Sequence, residues 1–193
     1  MKVINEKLAL EKLKRGLPII FQTDTLPAIG CLPKFSKIIY ETKKRNRKKP
    51  LILMAAEKKQ LNNYVHDSAK SDYENIALKY WPGALTMIVP VSENRRDRLT
   101  SENFTLGMRI PNSTIAQSLI MKTGPLLTSS ANISGISGSL TAEGIAEDFP
   151  YLDILGPVPW AKCSGSASTI LSWVESGKWE IIRKGQVNIN ELR

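Results

Sequence analysis

The sequence predicts an α/β fold, with α+β as the alternative, built on a mixed and twisted sheet that is flanked by helices. Short apolar runs bounded by turn residues recur along the chain and indicate buried strands. These runs alternate with segments of helical periodicity, and the strands outnumber the strong helical patterns. Because no linker or repeat divides the pattern, we expect one domain over residues 1–193.

The first half of the chain alternates helices and strands. Asn5 precedes apolar residues at helical spacing, and Gly16 ends that pattern. Pro50 separates a basic run from the next apolar run, and Pro82 breaks a long amphipathic pattern. The expected elements are a helix between Asn5 and Gly16, a strand at 17–21, a helix from Phe35 that continues into the basic run 43–49, a strand at 51–54, a helix at 69–80 and a strand at 84–91.

The second half begins with a polar segment, 94–103, which we expect to be a loop. Thr114 and Gln117 have the spacing of a capping box before an apolar helical pattern, and Thr141 is placed to cap a short helix. The expected elements are strands at 105–110 and 126–127, helices at 115–120 and 141–147, and strands at 153–155, 169–174 and 179–183.

Charge and composition limit the function classes. The net charge of +9 favours a polyanionic partner such as a nucleotide or RNA, although lysine-rich solvated surfaces are also common. The chain contains no apolar run of transmembrane length and no signal-peptide pattern at its start, so we expect a cytoplasmic protein without a membrane partner. Cys31 and Cys163 are expected to be reduced, and His66 to be a surface residue.

A phosphate-binding loop of known type is absent from the sequence, which has neither a Walker A motif nor a Gly-x-Gly-x-x-Gly fingerprint. The stretch 128–135, Thr-Ser-Ser-Ala-Asn-Ile-Ser-Gly, is the first candidate for a site. It follows a predicted strand, its small residues let backbone approach a ligand, and its hydroxyls and amide supply uncharged donors. The alternative is a polar surface loop.

Three further groups of polar residues lie at predicted element ends. Thr25, in Thr-Asp-Thr, either grips a small polar ligand or forms part of a Ser/Thr turn. Lys43, Arg45 and Lys49 suit phosphate or carboxylate, although a charge run is usually a solvated surface. Arg109 ends an apolar strand and requires an anionic partner, which is either a ligand or a carboxylate of the protein.

The last candidate group combines residues 168–169, Ser-Thr, with residues 183–185, Arg-Lys-Gly. The alternative to a role in a site is that the first pair is only a turn before a strand and the second only the end of a strand.

Together these stretches resemble the YrdC/Sua5 family over nearly the whole chain. Each motif is weak alone, but their joint order and spacing are specific. In chain order the matching pieces are residues 23–25, Lys43-x-Arg45 with 49–51, Trp-Pro-Gly-Ala-Leu-Thr at 81–86, Gly-Met-Arg-Ile-Pro at 107–111, 129–135, 168–170 and 183–185.

The resemblance implies a YrdC-like twisted sheet with a large, concave, positively charged face. It implies a threonylcarbamoyl-AMP synthase, which forms threonylcarbamoyladenylate and pyrophosphate from L-threonine, bicarbonate and ATP. Mg²⁺ would enter with ATP, and a downstream threonylcarbamoyl-transferase complex would pass the group to a tRNA adenosine (the t6A modification). Contact with tRNA or double-stranded RNA is a further expectation.

The resemblance also implies roles for individual residues. The family's Lys-x-Arg and Ser-x-Asn tetrad is complete. The residues expected around threonine and around the nucleotide overlap with it. The implied sets are Lys43, Arg45, Ser130 and Asn132 for catalysis; Thr25, Arg109, Ser130 and Ser168 for threonine; and Arg45, Lys49, Thr105, Asn132 and Arg183 for the nucleotide.

The sequence departs from the family pattern beside the first motif. Gln22 stands where proline is usual, residues 26–29 read Leu-Pro-Ala-Ile in place of Val-Tyr-Gly-Leu, and Ser129 often has threonine as its counterpart. The chain also ends soon after residue 185, so we expect the short form of the family. The alternatives are a basic RNA-binding protein of the same fold without catalysis, a YciO-type relative, and a carbamoyl-phosphate or hydrogenase-maturation activity.

Overall fold

A ten-stranded mixed sheet runs through residues 2–98, 104–133, 135–136 and 138–189, which are the residues that the computed structural model describes. The mixed sheet predicted from the sequence is thereby confirmed. In chain order the strands are β1 (Val3–Ile4), β2 (Ile19–Phe21), β3 (Ala28–Cys31), β4 (Ile52–Met54), β5 (Leu85–Pro90), β6 (Thr105–Arg109), β7 (Leu126–Ser130), β8 (Asp153–Leu155), β9 (Thr169–Glu175) and β10 (Lys178–Arg183).

Four of the α-helices begin at a side chain that caps their first turn. Asn5 accepts a hydrogen bond from the backbone N–H of Leu8, and Thr141 accepts one from Gly144, as the sequence predicted. His66, expected only as a surface residue, caps a helix through the backbone N–H of Ser68. The α-helices are α1 (Glu6–Lys14), α2 (Lys37–Thr42), α3 (Lys59–Asn62), α4 (Asp67–Tyr80), α5 (Thr114–Thr123) and α6 (Ala142–Asp148), and short 3₁₀ helices span Pro33–Phe35 and Glu93–Arg98.

The strand order is β1-β8-β2-β3-β7-β4-β6-β5-β9-β10. Strand β7 lies at the centre, antiparallel to both β3 and β4, while β4 runs parallel to β6. The register pairs Ser130 of β7 with Ala28 of β3, and Arg109 of β6 with Met54 of β4. Residues distant in sequence therefore lie side by side in the middle of the sheet.

Side chains alternate between the two faces of the sheet, and each face has its own core. Leu53 and Leu127 pack with residues of α2 and α4 on the first face. Met54, Leu126 and Phe21 pack with residues of α1 and α5 on the second face. Ile52 and Ile88, at positions of the second face, are only partly buried. This less covered region of the second face holds the candidate site.

Several boundaries differ from the sequence predictions. Strand β7 continues through Ser130, because the hydroxyls of 128–130 fit a strand whose backbone pairs on both sides. Helix α2 ends at Thr42 before the basic run, and Lys44 has a positive φ of 48°. Helix α5 is capped by Ser113, so the predicted Thr114 capping box is wrong.

The other differences are elements that the sequence did not reveal. Strands β1 and β3 and helix α3 were not predicted. Part of the predicted loop 94–103 is a 3₁₀ helix, Glu93–Arg98, and residues 99–103 lie outside the described residues.

The segment after β10 packs tightly against the residues before β9. Thr169 is fully buried, and its Oγ1 donates to Val187 O (2.8 Å) and accepts from the backbone N–H groups of Gly185 and Val187, both at 3.1 Å. A Cβ at Gly185 would lie 2.3 Å from Ala167 O and 2.4 Å from the carbonyl carbon of Ser168. Only glycine fits this approach without a backbone shift.

We predict that Gly185→Ala lowers the free energy of unfolding by about 1–3 kcal/mol, because the overlap with backbone atoms cannot be relieved by a side-chain rotation. Urea denaturation measures the change. Gly107→Ala is the control, because a Cβ there meets no atom closer than 3.6 Å. A Gly185→Ala protein as stable as the Gly107→Ala protein would contradict the close approach.

Candidate active site

A cleft on the second face of the sheet gathers six of the sequence-predicted site residues. It lies across β4 and β7 instead of at a row of strand ends, since Ile52 and Met54 of β4 and residues 128–130 of β7 line it. We call it the arginine cleft. Its predicted members are Thr25, Arg45, Arg109, Ser130, Ser168 and Arg183.

A second, adjoining pocket opens beside the arginine cleft. Both cavities share Leu26, Ser130 and Ala167 in their walls, and the second pocket is also lined by Pro27 and Asn132. The Ser-x-Asn motif therefore spans the junction between the two cavities. Ser134 and Ser137, near this junction in sequence, lie outside the described residues.

Arg109 is only 3% exposed, and its guanidinium group donates three hydrogen bonds. Its Nη2 donates to Asp24 Oδ1 at 2.7 Å, its Nη1 to Thr25 Oγ1 at 2.8 Å and its Nε to Gly83 O at 2.9 Å. Burial lowers the pKa of Arg109, and the charge of Asp24 opposes that effect. The protein carboxylate considered for Arg109 in the sequence is therefore present.

The ion pair leaves Arg109 with unused donors. A guanidinium has five N–H groups, and the contacts with described residues occupy three of them, which leaves one N–H on each Nη. Guanidinium N–H groups form strong hydrogen bonds to the oxygens of a carboxylate. Arg109 can thus be paired with Asp24 and still bind an anion in the cleft.

The Thr-Asp-Thr turn has the Ser/Thr-turn geometry considered in the sequence. Thr23 Oγ1 accepts from the backbone N–H of Thr25 at 3.2 Å and donates to Leu26 O at 2.7 Å. Asp24 was not predicted from the sequence as a site residue. A carboxylate beside Thr25, in a chain with an arginine at the end of an apolar strand, was the available signal.

Lys43 lies behind the cleft and not in its lining. Its Nζ donates to Ser129 Oγ at 2.7 Å and to the carbonyl oxygen of Ser130. Ser129 alternates with Ser130, so its side chain is on the first face of the sheet with that of Leu127. Lys43 is 2% exposed, which corrects the idea that the basic run is solvated throughout.

Arg45 stabilises the loop that leads into β4. Its Nε donates to Lys49 O at 3.1 Å and its Nη2 to Pro50 O at 3.0 Å, while its side chain lines the cleft. Burial lowers its pKa.

The side chain of Lys49 is exposed. Thr105, also exposed, begins β6 and is about 13 Å along the strand from Arg109.

Ser130 and Asn132 contact each other at the junction of the two cavities. Ser130 Oγ donates to Asn132 Oδ1 at 2.5 Å. The amide of Asn132 donates to Ile133 O at 2.9 Å and to Ile136 O at 2.6 Å, so both of its N–H groups are used within the loop. Asn132 can bind an anion only by exchanging one of these bonds.

Arg183 reaches the cleft from the end of β10. Its Nε donates to Ser168 O at 3.0 Å and its Nη2 to Ser168 Oγ at 3.1 Å, and partial burial lowers its pKa. Three guanidinium groups thus line one cleft with neutral hydroxyls between them. Such a lining suits an anionic ligand with several separate acceptor groups.

A family model of Sua5, YciO and YrdC proteins, described as "Telomere recombination", matches residues 11–185. The chain belongs to this family. A curated relative, the threonylcarbamoyl-AMP synthase of Blochmanniella pennsylvanica, is 32% identical over 163 residues, which are 79% of this chain and 84% of the relative. Both the family and the α/β fold expected from the sequence motifs are confirmed.

Two solved structures of the Sua5/YciO/YrdC family have the same fold. The P. abyssi Sua5 complexed with L-threonine superposes with a TM-score of 0.87 at 28% identity, over 100% of this chain and 60% of that chain. E. coli YciO superposes with a TM-score of 0.79 at 22% identity, over 100% of this chain and 98% of that chain. The chain therefore spans about three fifths of the length of P. abyssi Sua5.

Two of the departures from the family sequence, Leu26 and Pro27, lie in the walls of the two cavities. Leu26 lines both cavities, and Pro27 lines the second and accepts a hydrogen bond from the backbone N–H of Ala131 at 2.7 Å. Gln22 Nε2 donates to Ala161 O, a contact that the usual proline cannot make. Hydrogen bonds of Gln22 and Pro27 therefore connect the turn 22–27 to Ala161 and Ala131.

Lys43 gives the site a pH-dependent stability. Burial, and secondarily the charge of Arg45, lower the pKa of Lys43 from 10.5 to about 8. Between these values the unfolded chain binds more protons on Lys43 than the folded chain does. Its contribution to the free energy of unfolding therefore becomes more favourable as the pH rises through this window.

We predict that the free energy of unfolding of the natural protein rises, relative to that of Lys43→Met, between about pH 7.5 and about pH 10. Urea denaturation of both proteins at several pH values measures this difference. Lys44→Met, at an exposed neighbour, is the control for loss of a lysine. A difference that is constant or falls with pH would show that Lys43 is not buried as a cation.

Proposed function

We propose that this protein is a threonylcarbamoyl-AMP synthase that joins L-threonine, bicarbonate and ATP into threonylcarbamoyladenylate and pyrophosphate. The observation that carries the proposal is the convergence of three guanidinium groups and three hydroxyls on one cleft. Family membership and the activity named for the B. pennsylvanica relative support it. The six groups belong to Arg45, Arg109, Arg183, Thr25, Ser130 and Ser168.

The positive charge of the cleft reduces the repulsion between the anionic substrates of this reaction. The threonine carboxylate, bicarbonate and the triphosphate are all anions, and they repel one another when they are brought together. Fixed cations in a partly dehydrated cleft offset this repulsion and stabilise charge that develops at the α-phosphate. Hydroxyls between the cations orient oxygens without adding charge.

We assign the threonine end of the cleft to Arg109, Thr25 and Ser168. The two unused N–H groups of Arg109 would bind the threonine carboxylate. Asp24 balances part of the charge of Arg109, so the carboxylate would be recognised by geometry as well as by charge. P. abyssi Sua5, which has the same fold, has been solved with L-threonine.

We assign the phosphates to Arg45 and Arg183, on the remaining walls of the arginine cleft. The nucleoside would extend into the second pocket past Ser130 and Asn132. Lys49 and Thr105 remain proposed nucleotide contacts for an extended ligand. Lys43 would act from behind the sheet, by holding the carbonyl group of Ser130 in place.

The proposed chemistry has two bond-forming steps. The threonine amine attacks the carbon of bicarbonate or CO₂ to form a carbamate, with loss of water when bicarbonate is used. A carbamate oxygen then attacks the α-phosphorus, and the bond to the pyrophosphate oxygen breaks. Asp24 is engaged with Arg109, so we assign the rate enhancement to positioning and electrostatics.

Mg²⁺ would enter with ATP and neutralise charge on its phosphates. Within the described part of the chain, no three His, Cys, Asp or Glu residues come together as a metal site. We further propose that the product passes to a threonylcarbamoyl-transferase complex acting on tRNA.

The described residues contain no helix that is long and apolar enough to cross a membrane.

We predict that the protein releases pyrophosphate from ATP and Mg²⁺ only when both bicarbonate and L-threonine are present, because the carbamate is the attacking group. A coupled pyrophosphate assay measures the rate, and omission of each substrate in turn is the control. Release without threonine, or no release under any condition, would refute the proposal. No release combined with RNA binding would favour the RNA-binding alternative.

In the same assay Arg45→Ala should lower kcat/KM by about 100-fold or more, the usual loss for a group that stabilises transition-state charge. Asn132→Ala should also lower it, because the partner of Ser130 is lost. Lys48→Ala is the matched control, since Lys48 is an exposed cation in the same loop as Arg45. Thermal melting checks that each variant folds.

A further inference from the structure

In the site described so far, the Trp-Pro-Gly-Ala-Leu-Thr motif at 81–86 contributes only the carbonyl oxygen of Gly83, which accepts from Arg109. The structure gives its last residue, Thr86, a definite place. Thr86 belongs to β5, is 1% exposed and does not contribute to the lining of the arginine cleft. Its Oγ1 lies 2.9 Å from the Oγ of Ser168, which does line the cleft.

The direction of this hydrogen bond follows from the surroundings of the two hydroxyls. Ser168 is the partner of the Thr86 hydroxyl among the described residues. If Ser168 donated to Thr86, the proton of Thr86 would be buried without an acceptor, an arrangement that is strongly disfavoured. Thr86 therefore donates, and Ser168 accepts.

Ser168 receives a second hydrogen bond from Arg183. The Nη2 of Arg183 donates to Ser168 Oγ at 3.1 Å. A serine hydroxyl has two acceptor lone pairs and one proton, so the bonds from Thr86 and Arg183 fill both lone pairs. The proton of Ser168 is then left for a partner in the cleft.

We propose that Thr86 is a positioning residue that makes the Ser168 hydroxyl an obligatory hydrogen-bond donor to an oxyanion of the substrate, namely the carboxylate of threonine or the carbamate formed from it. This inference rests on the proposed function and adds to it a residue that touches no substrate. It also explains how a neutral serine beside Arg183 contributes to anion binding, because both neighbours fix the direction of its proton.

The same motif supports the other side of the cleft. Gly83 O accepts from the Nε of Arg109 at 2.9 Å, and the backbone N–H of Gly83 donates to Ile110 O at 2.9 Å. The backbone of the motif thus fixes Arg109 while its threonine fixes Ser168. This short segment lies outside the lining of the cleft, yet it orients the hydrogen-bond donors of Arg109 and Ser168 on two walls of the cleft.

The test replaces Thr86 with valine, which keeps the shape and removes the hydroxyl. Thr86→Val should raise the KM for L-threonine by about tenfold, the effect of losing one hydrogen-bond donor of fixed direction. The KM for ATP should change by less than about twofold, since the Nε of Arg183 still donates to Ser168 O. Thr86→Ser, which restores the hydroxyl, should recover the natural KM for threonine.

A double-mutant cycle separates this role from a purely structural one. In a Ser168→Ala background, Thr86→Val should cause no further change in the KM for threonine. Thr86→Ala is measured in parallel as a second variant without the hydroxyl, in case the valine variant does not fold, and thermal melting monitors folding.

Two results would overturn the inference while the proposed function stands. One is natural, threonine-dependent pyrophosphate release with an unchanged KM for threonine in Thr86→Val and Thr86→Ala. The other is a Thr86→Val effect of equal size with and without the Ser168 hydroxyl. Absence of threonine-dependent release from the natural protein would overturn the proposed function, and this inference with it.

Discussion

The buried ion pair between Arg109 and Asp24 is the interaction on which the rest of the cleft depends. A guanidinium that is 3% exposed is tolerated only when its charge and its N–H groups find partners. Asp24 supplies the charge, while Thr25 and the carbonyl group of Gly83 accept two further hydrogen bonds. The turn 22–27, strand β6 and the segment before β5 are thereby joined at one side chain.

The other cations near the cleft, Arg45, Arg183 and Lys43, are held differently from Arg109, because none of them has a carboxylate partner among the described residues. Arg45 and Arg183 donate to backbone carbonyl groups, which fix their orientation without neutralising their charge. Lys43 is fixed in the same way from behind the sheet. The positive charge of Arg45 and Arg183 is thus positioned by neutral groups, and it stays available to anions in the cleft.

Much of the fold could be predicted from the sequence because most strands and helices have clear periodicity. Strand β3, Ala28–Cys31, was missed because it is short and follows a proline, and its place is set by pairing with β2 and β7. The length of β7 was hidden by its hydroxyl residues, which resemble a loop in sequence. In both cases tertiary pairing decided the structure over local composition.

The candidate site could be predicted less completely. The motifs identified six of the residues that line the cleft, but sequence spacing cannot tell which face of a sheet a side chain occupies. Lys43 and Arg45 are two residues apart, yet one lies behind the sheet and the other in the cleft. The contributions of Asp24 and Thr86 depend on contacts across about 80 residues of sequence and required the structure.

The central claim is that the cleft holds a carbamate of threonine against the α-phosphate of ATP, even though Leu26 and Pro27 replace the usual wall. Mass spectrometry of the product formed from ATP, Mg²⁺, L-threonine and ¹³C-bicarbonate tests this claim most directly. We predict a threonylcarbamoyladenylate that carries a single ¹³C atom from bicarbonate. An adenylate of threonine without the labelled carbon, or no adenylate at all, would contradict it.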